Sequence, residues 1–98
     1  MSVSAKKEGQ AALQALEDAL AAKPKKDGHA FSATTEHLCK MRDVLIGEYR
    51  EKARDDNALE RLNAIISTSL AGHFPLGNIP WPEIEHARST LEKLLAEV

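Results

Sequence analysis

Residues 62–82 read LNAIISTSLAGHFPLGNIPWP and contain no Asp, Glu, Lys or Arg, although 29% of the 98 residues are charged. The apolar residues before Gly72 recur at helical spacing, and glycine is a common C-terminal stop of a helix. The loop that follows is rich in proline and glycine, and Pro82 suits the first turn of another helix. The stretch therefore predicts a helix from Ala58 to about Ala71, a structured loop and a last helix.

Two more helices are predicted before this stretch. The first runs from Val3 to about Ala22 and is stopped by Pro24, and the second begins with Ser32 as its N-cap. Each of the four helices has an apolar stripe at helical spacing. The stripes are Leu13, Leu16 and Leu20; Leu38, Met41, Leu45 and Tyr49; Leu59, Leu62, Ile66 and Leu70; and Ile84, Ala87, Leu91, Leu94, Leu95 and Val98.

The fold class predicted from these elements is all-α. The simplest arrangement is an antiparallel four-helix bundle with a structured Pro/Gly/aromatic loop before the last helix. At 98 residues the chain forms one domain, 1–98, with residues 1–4 expected to be disordered.

Asp55-Asp56-Asn57 predicts a connection between the second and third helices, with Asn57 and Glu60 as a capping box. No Gly or Pro occurs at this point, and the apolar stripes on the two sides are nearly in phase. One long helix over 32–72 is therefore the alternative to the break that we predict.

Composition excludes several classes of function. A net charge of −2 and a pI near 6.1 disfavour nucleic-acid binding, which depends on neutralising phosphates. The single cysteine, Cys39, excludes an intrachain disulfide and any CxxC motif. We expect no membrane span, no leader peptide and no cofactor, and we expect the protein to be cytoplasmic.

The missing charge on the third helix points to a covered surface. Its predicted outward positions include Ala64, Thr68 and Ala71, which are small and neutral where a solvated helix normally has Lys or Glu. The cover could be another helix of the same chain, a second copy in a homodimer, or a different partner or ligand. We predict a small interaction module that acts through protein–protein contacts as a homodimer. We favour a function other than catalysis.

The loop adds aromatic residues to this surface. His73, Phe74 and Trp81 are candidate interface or ligand residues, and Leu76 and Ile79 add apolar area. The alternative is that the loop is a plug that closes one end of the bundle.

A second function hypothesis concerns His37, Lys40 and Arg42. His37 and Lys40 in His37-Leu38-Cys39-Lys40 resemble the site of histidine phosphotransfer domains, which are four-helix bundles of about this size. The resemblance implies His37 as phosphoryl acceptor, although Cys39 and Met41 depart from that family's pattern. Arg42 is predicted to form an ion pair, to extend its stem toward water, or to bind an anion.

A metal site is not predicted. Glu83-Ile84-Glu85-His86 has the Glu-x-x-His spacing of di-iron bundles, but only one copy is present, and that chemistry needs two. His86 is predicted to face solvent.

Overall fold

The computed structural model describes residues 3–23, 31–52, 58–74 and 77–96, with the side chains of 49–52 outside the description. Four helices occupy these ranges, and no strand occurs in them. They are α1 (Val3–Ala22), α2 (Ser32–Lys52), α3 (Ala58–His73) and α4 (Trp81–Ala96). The all-α prediction is confirmed, and none of the described helices has the length and apolarity needed to cross a membrane.

The helix ends differ from the predictions at two points, whereas α1 begins at Val3 and ends at Ala22, as predicted. Residues 1–2 lie outside the described part. The third helix continues through Gly72 to His73. The last helix begins at Trp81, one residue earlier than expected.

Both differences have physical causes. A Cβ at Gly72 would lie 3.0 Å from Phe31 Cε2 and 3.1 Å from Ile84 Cδ1, so this glycine allows close packing inside a helix and does not end it. At α4, the amide of Ile84 donates to the carbonyl of Pro80 at 3.0 Å, which makes Pro80 the N-cap. Pro82 then lies in the first turn, where its missing N–H costs nothing.

Helices α2 and α3 are separate, as predicted. Thr35 Oγ1, near the start of α2, lies 2.9 Å from Ser69 Oγ, near the end of α3. In one continuous helix these residues, 34 apart, would be separated by about 50 Å. The predicted connection at 55–57 and its capping box lie outside the described residues, as does the stop at Pro24.

Packing joins the helices in four pairs, α1 with α2, α2 with α3, α3 with α4, and α1 with α4. Within the described ranges, the backbones of α1 and α3 do not approach each other closely. The main core contains buried residues of all four helices. A smaller cluster forms where α1 ends and where α2 and α4 begin; its members are Leu16, Ala19, Phe31, Ile79 and Ile84, with Leu20 and Trp81 packed against them.

Small residues dominate the buried side of α1, which corrects the predicted leucine stripe. Leu16 is buried, but Leu13 and Leu20 are only half-buried. A Cβ at Gly9 would lie 2.6 Å from Leu95 Cδ2 and 2.9 Å from Met41 Sδ, so α1 packs too closely for larger side chains at this point. The other buried residues of α1 are Ala5, Ala12 and Ala19.

The buried side of α3 is also rotated from the prediction. Leu70, predicted to face inward, is 39% exposed, whereas Ile65, Ser69 and Gly72 are buried. The hydroxyl pair of Ser69 with Thr35 and the close approach at Gly72 turn this side of α3 toward α2 and α4. The prediction assigned the inward positions by apolar character alone and missed these two small residues.

Candidate functional site

The outward face of α3 is uncovered. Ala64, Ser67 and Ala71 are exposed, and Thr68 is half-buried. Because these side chains stay exposed in the folded chain, no other described helix covers this face. The sequence left three possible covers for this face: another helix of the same chain, a second copy, or a different partner or ligand. The first of these is not observed among the described helices.

Two large apolar side chains extend this exposed face. Phe74 is 69% exposed and Leu70 is 39% exposed, and they are the largest exposed apolar residues near the end of α3. The amide of Phe74 donates to the carbonyl of Leu70 at 2.9 Å, so Phe74 continues the helical turn and stays on the same side. The ring of His73, which is half-buried, lies edge-on to that of Phe74 at a centroid distance of 4.3 Å. We call Ala64, Ser67, Leu70, Ala71 and Phe74 the α3 face.

The second aromatic residue of the loop has a different position. Trp81 is half-buried, and its ring centroid lies 5.7 Å from that of Phe31 in the cluster at the bundle end. Ile79 is 5% exposed and belongs to the same cluster. The packing of these two residues fits the plug interpretation, whereas Phe74 faces outward. Leu76 lies outside the described residues.

A groove runs between α3 and α4 beside the α3 face. It has a volume of about 170 Å³ and includes the candidates Ala64 and Thr68. The residues that line it are Arg61, Ala64, Ile65 and Thr68 from α3, and His86, Ala87 and Thr90 from α4. We call this the α3/α4 groove.

His37 forms a contact that links α2 to α1. Its Nδ1 lies 2.7 Å from Oε2 of Glu8, and the two side chains are 32% and 29% exposed. An ionised carboxylate only accepts hydrogen bonds, so Nδ1 donates, and in the neutral ring Nε2 keeps its lone pair. The hydrogen bond from His37 lowers the pKa of the Glu8 carboxyl below its ordinary value of 4.5 and outweighs burial, which raises it.

Arg42 does not form one site with His37, whereas Lys40 is close enough to Glu8, the partner of His37, to help lower the pKa of that carboxyl. Lys40 pairs with Glu36 at 3.2 Å, one turn away on the same helix. Arg42 is five residues from His37, which places it about 140° around α2. Arg42 is half-buried and forms no ion pair with another described residue, so the structure favours a stem that extends toward water.

Several residues of these arrangements were not singled out by their sequence positions. Glu8 of α1 meets His37 of α2, and Arg61 and Thr90 line one groove from two different helices; no local spacing signals such contacts between helices. His86 was weighed for a metal and is exposed, as predicted, but it lines the α3/α4 groove. Among the described residues, no group of three or more His, Cys, Asp or Glu side chains could hold a metal ion.

Comparison with known proteins finds no match to a protein-family model, to a curated protein or to a solved structure.

Proposed function

We propose that this protein is a small helical interaction module that associates with a second copy of itself through the α3 face. The observation that supports this proposal is the uncovered, charge-free outer side of α3, with Phe74 69% exposed at its end. Exposed aromatic residues on a contiguous apolar surface are typical of protein-binding sites.

The proposal includes an antiparallel bundle and a structured loop. Thr35 at the start of α2 meets Ser69 at the end of α3, and Gly9 near the start of α1 meets Leu95 near the end of α4. Both contacts support an antiparallel order. Gly77, with φ of 152°, and the packed Ile79 support a loop of fixed shape. A cytoplasmic location remains part of the proposal.

A second copy suits the α3 face because the residues of this face are uncharged, so two identical faces do not repel each other electrostatically. In a two-fold dimer each protomer buries its Phe74. Covering the exposed fraction of one phenylalanine removes roughly 100–170 Å² of apolar surface, worth about 2.5–4 kcal/mol. Two copies contribute about 5–8 kcal/mol, against an association cost of about 4–15 kcal/mol. The remaining α3 face must therefore contribute too, and we expect a weak dimer.

The test is sedimentation equilibrium, with native mass spectrometry as a second method. Ala71→Lys and Phe74→Ser place a charge or a small polar group on the α3 face. Both should weaken self-association at least tenfold while leaving the far-ultraviolet circular dichroism unchanged. Ala21→Lys is the matched control, because Ala21 is also an exposed alanine in the last turn of a helix, on α1.

The outcomes separate the hypotheses. A dimer that Ala71→Lys dissociates and Ala21→Lys preserves supports the proposal. A wild-type monomer across the concentration range, or a dimer that both lysine variants preserve, contradicts it.

A second candidate function, phosphoryl acceptance by His37, is favoured by one contact. The 2.7 Å bond to Glu8 orients the imidazole and directs the lone pair to Nε2, which is the activation pattern of a nucleophilic histidine. With phosphoramidate as donor, Nε2 would form the new bond to phosphorus while the P–N bond of the donor breaks and ammonia leaves. Intact mass should then increase by one phosphoryl group, with a slower reaction in Glu8→Gln. Labelling of His73 or His86 at an equal rate would contradict this candidate.

A further inference from the structure

The α3/α4 groove has apolar walls although two threonines line it. Thr68 donates its hydroxyl to the carbonyl of Ala64 at 3.2 Å, and Thr90 donates to that of His86 at 3.0 Å. Both hydroxyls therefore have a partner within their own helices, which leaves the methyl groups to meet an occupant. The apolar lining is completed by two buried residues, Ile65 and Ala87.

The groove is better matched to a neutral occupant than to a charged one. Arg61 lines it but already interacts within the chain. Glu85, next to His86 in the sequence, is exposed and lies 3.4 Å from Arg88. A neutral apolar group is complementary to this arrangement, because it requires no free charge. The other acids near the lining residues in sequence are exposed and outside the lining; they are Glu60 and Glu83.

The size of the groove matches one aromatic ring. Its volume is about 170 Å³, and a dry protein cavity of about 150 Å³ binds a benzene molecule. Pockets that hold whole small-molecule ligands usually measure about 300–1,000 Å³. The groove therefore suits a single phenyl side chain better than a free ligand.

Phe74 is the exposed aromatic side chain that lacks such a site. The α3 face around it consists of small residues and Leu70, and a surface of this kind covers only one side of a ring. Anchor residues at protein interfaces are usually held in well-packed pockets. Phe74 does not line its own groove, since Thr68 lies six residues earlier, about 9 Å along α3 and about 120° around it. In a dimer, the groove of the second copy can enclose the ring.

We propose that Phe74 of each copy inserts into the α3/α4 groove of the other copy. Insertion rests on the proposed association through the α3 face and identifies the site that receives its aromatic anchor. The α3 face and the groove share Ala64, so one contact surface contains both. Each copy supplies one ring and one groove, as a two-fold dimer requires. Because ring and groove are offset both along α3 and around it, a two-fold axis pairs them only when the two α3 helices cross at a steep angle.

The direct test is isotope-filtered NOE spectroscopy on an equal mixture of ¹³C-labelled and unlabelled full-length protein, which detects contacts between copies. We expect contacts from the ring of Phe74 to the methyl groups of Thr68 and Thr90. Contacts of that ring only with Ala71 or Phe74 of the other copy would overturn insertion while leaving association through the α3 face intact.

Two variants remove the two halves of the contact. Phe74→Ala removes the ring, and Thr90→Phe fills the groove from within its own chain. Each should weaken self-association at least tenfold in sedimentation equilibrium, with unchanged far-ultraviolet circular dichroism. Ala96→Phe is the matched control for Thr90→Phe, because it adds the same ring at an exposed position of α4 outside the lining, and it should not weaken association.

A mixture of the two variants distinguishes insertion from a general loss of apolar surface. In a mixed pair, Phe74 of the Thr90→Phe chain can enter the intact groove of the Phe74→Ala chain, so one of the two contacts is restored. The mixed dimer should therefore be about threefold tighter than the dimer of either variant alone, after correction for the statistical advantage of a mixed pair.

The outcomes distinguish insertion from the proposed function itself. A wild-type dimer that Ala71→Lys dissociates but Thr90→Phe preserves would support the α3 face and overturn insertion into the groove. A mixed dimer no tighter than the dimers of the two variants would also overturn insertion. A wild-type monomer across the concentration range would contradict both.

Discussion

Thr34 on α2 is fully buried, and within the described part of the chain its hydroxyl oxygen has no hydrogen-bond partner. A buried, unpaired hydroxyl costs about 1–3 kcal/mol. Thr34→Val keeps the shape of the side chain and removes that cost, so it should raise the free energy of unfolding by about 1 kcal/mol in urea titrations. Thr34→Ser keeps the hydroxyl, loses the methyl group and should lower it. A valine variant less stable than the native protein would indicate that the hydroxyl has a partner.

The contact between Glu8 and His37 makes the stability of the fold depend on pH. Because its pKa is lower in the folded than in the unfolded chain, the contact stabilises the fold above about pH 4.5 and this contribution is lost as the pH falls through the lowered pKa. The difference in unfolding free energy between native protein and Glu8→Gln should therefore shrink when the pH is lowered below 4.5. A difference that stays constant with pH would mean that His37 does not lower this pKa.

At the scale of the helix, alanine substitutions at two glycines with different surroundings distinguish the effect of helix propensity from the effect of packing. A Cβ at Gly47 of α2 meets nothing within 4 Å, so Gly47→Ala should stabilise the protein by about 0.5–1 kcal/mol through helix propensity. A Cβ at Gly9 of α1 would press on both Leu95 and Met41. Overpacking costs about 1–3 kcal/mol, so Gly9→Ala should lower stability despite the same gain in propensity.

Thermal or urea unfolding of the two variants, measured in parallel, checks this pair. Equal stabilisation by both substitutions would show that α1 can move away from α2 and α4 without loss, which would contradict the close packing inferred for α1.

At the scale of the whole molecule, Trp81 and Phe74 distinguish the closed end of the fold from its exposed surface. Trp81 packs on Phe31, so Trp81→Ala should lower the free energy of unfolding by about 2 kcal/mol, less than for a fully buried aromatic residue. Phe74 is 69% exposed, so Phe74→Ala should change it by less than about 0.5 kcal/mol at concentrations where the protein is monomeric. The reverse order of effects would assign Phe74, and not Trp81, to the plug.

Much of the fold could be predicted because it depends on local information. Apolar spacing located the four helices, and the all-α class followed from them. The helical spacing also placed Ala64, Thr68 and Ala71 on the outer side of α3, where Ala64 and Ala71 are exposed and Thr68 is half-buried. These features follow from helical periodicity, which any reader of the sequence can measure.

The remaining features depend on which helices meet, and periodicity contains no such information. Gly72 was predicted to end α3, but it lies inside the helix and allows Phe31 and Ile84 to pack closely against it. Leu70 looked buried and is exposed because a hydroxyl pair at Ser69 turns α3. The sequence alone thus determined the helices, their number and the uncharged side of α3. Only the tertiary structure decided that no described helix covers that side, that Glu8 meets His37, and that the α3/α4 groove exists, because each is a contact between residues distant in the chain.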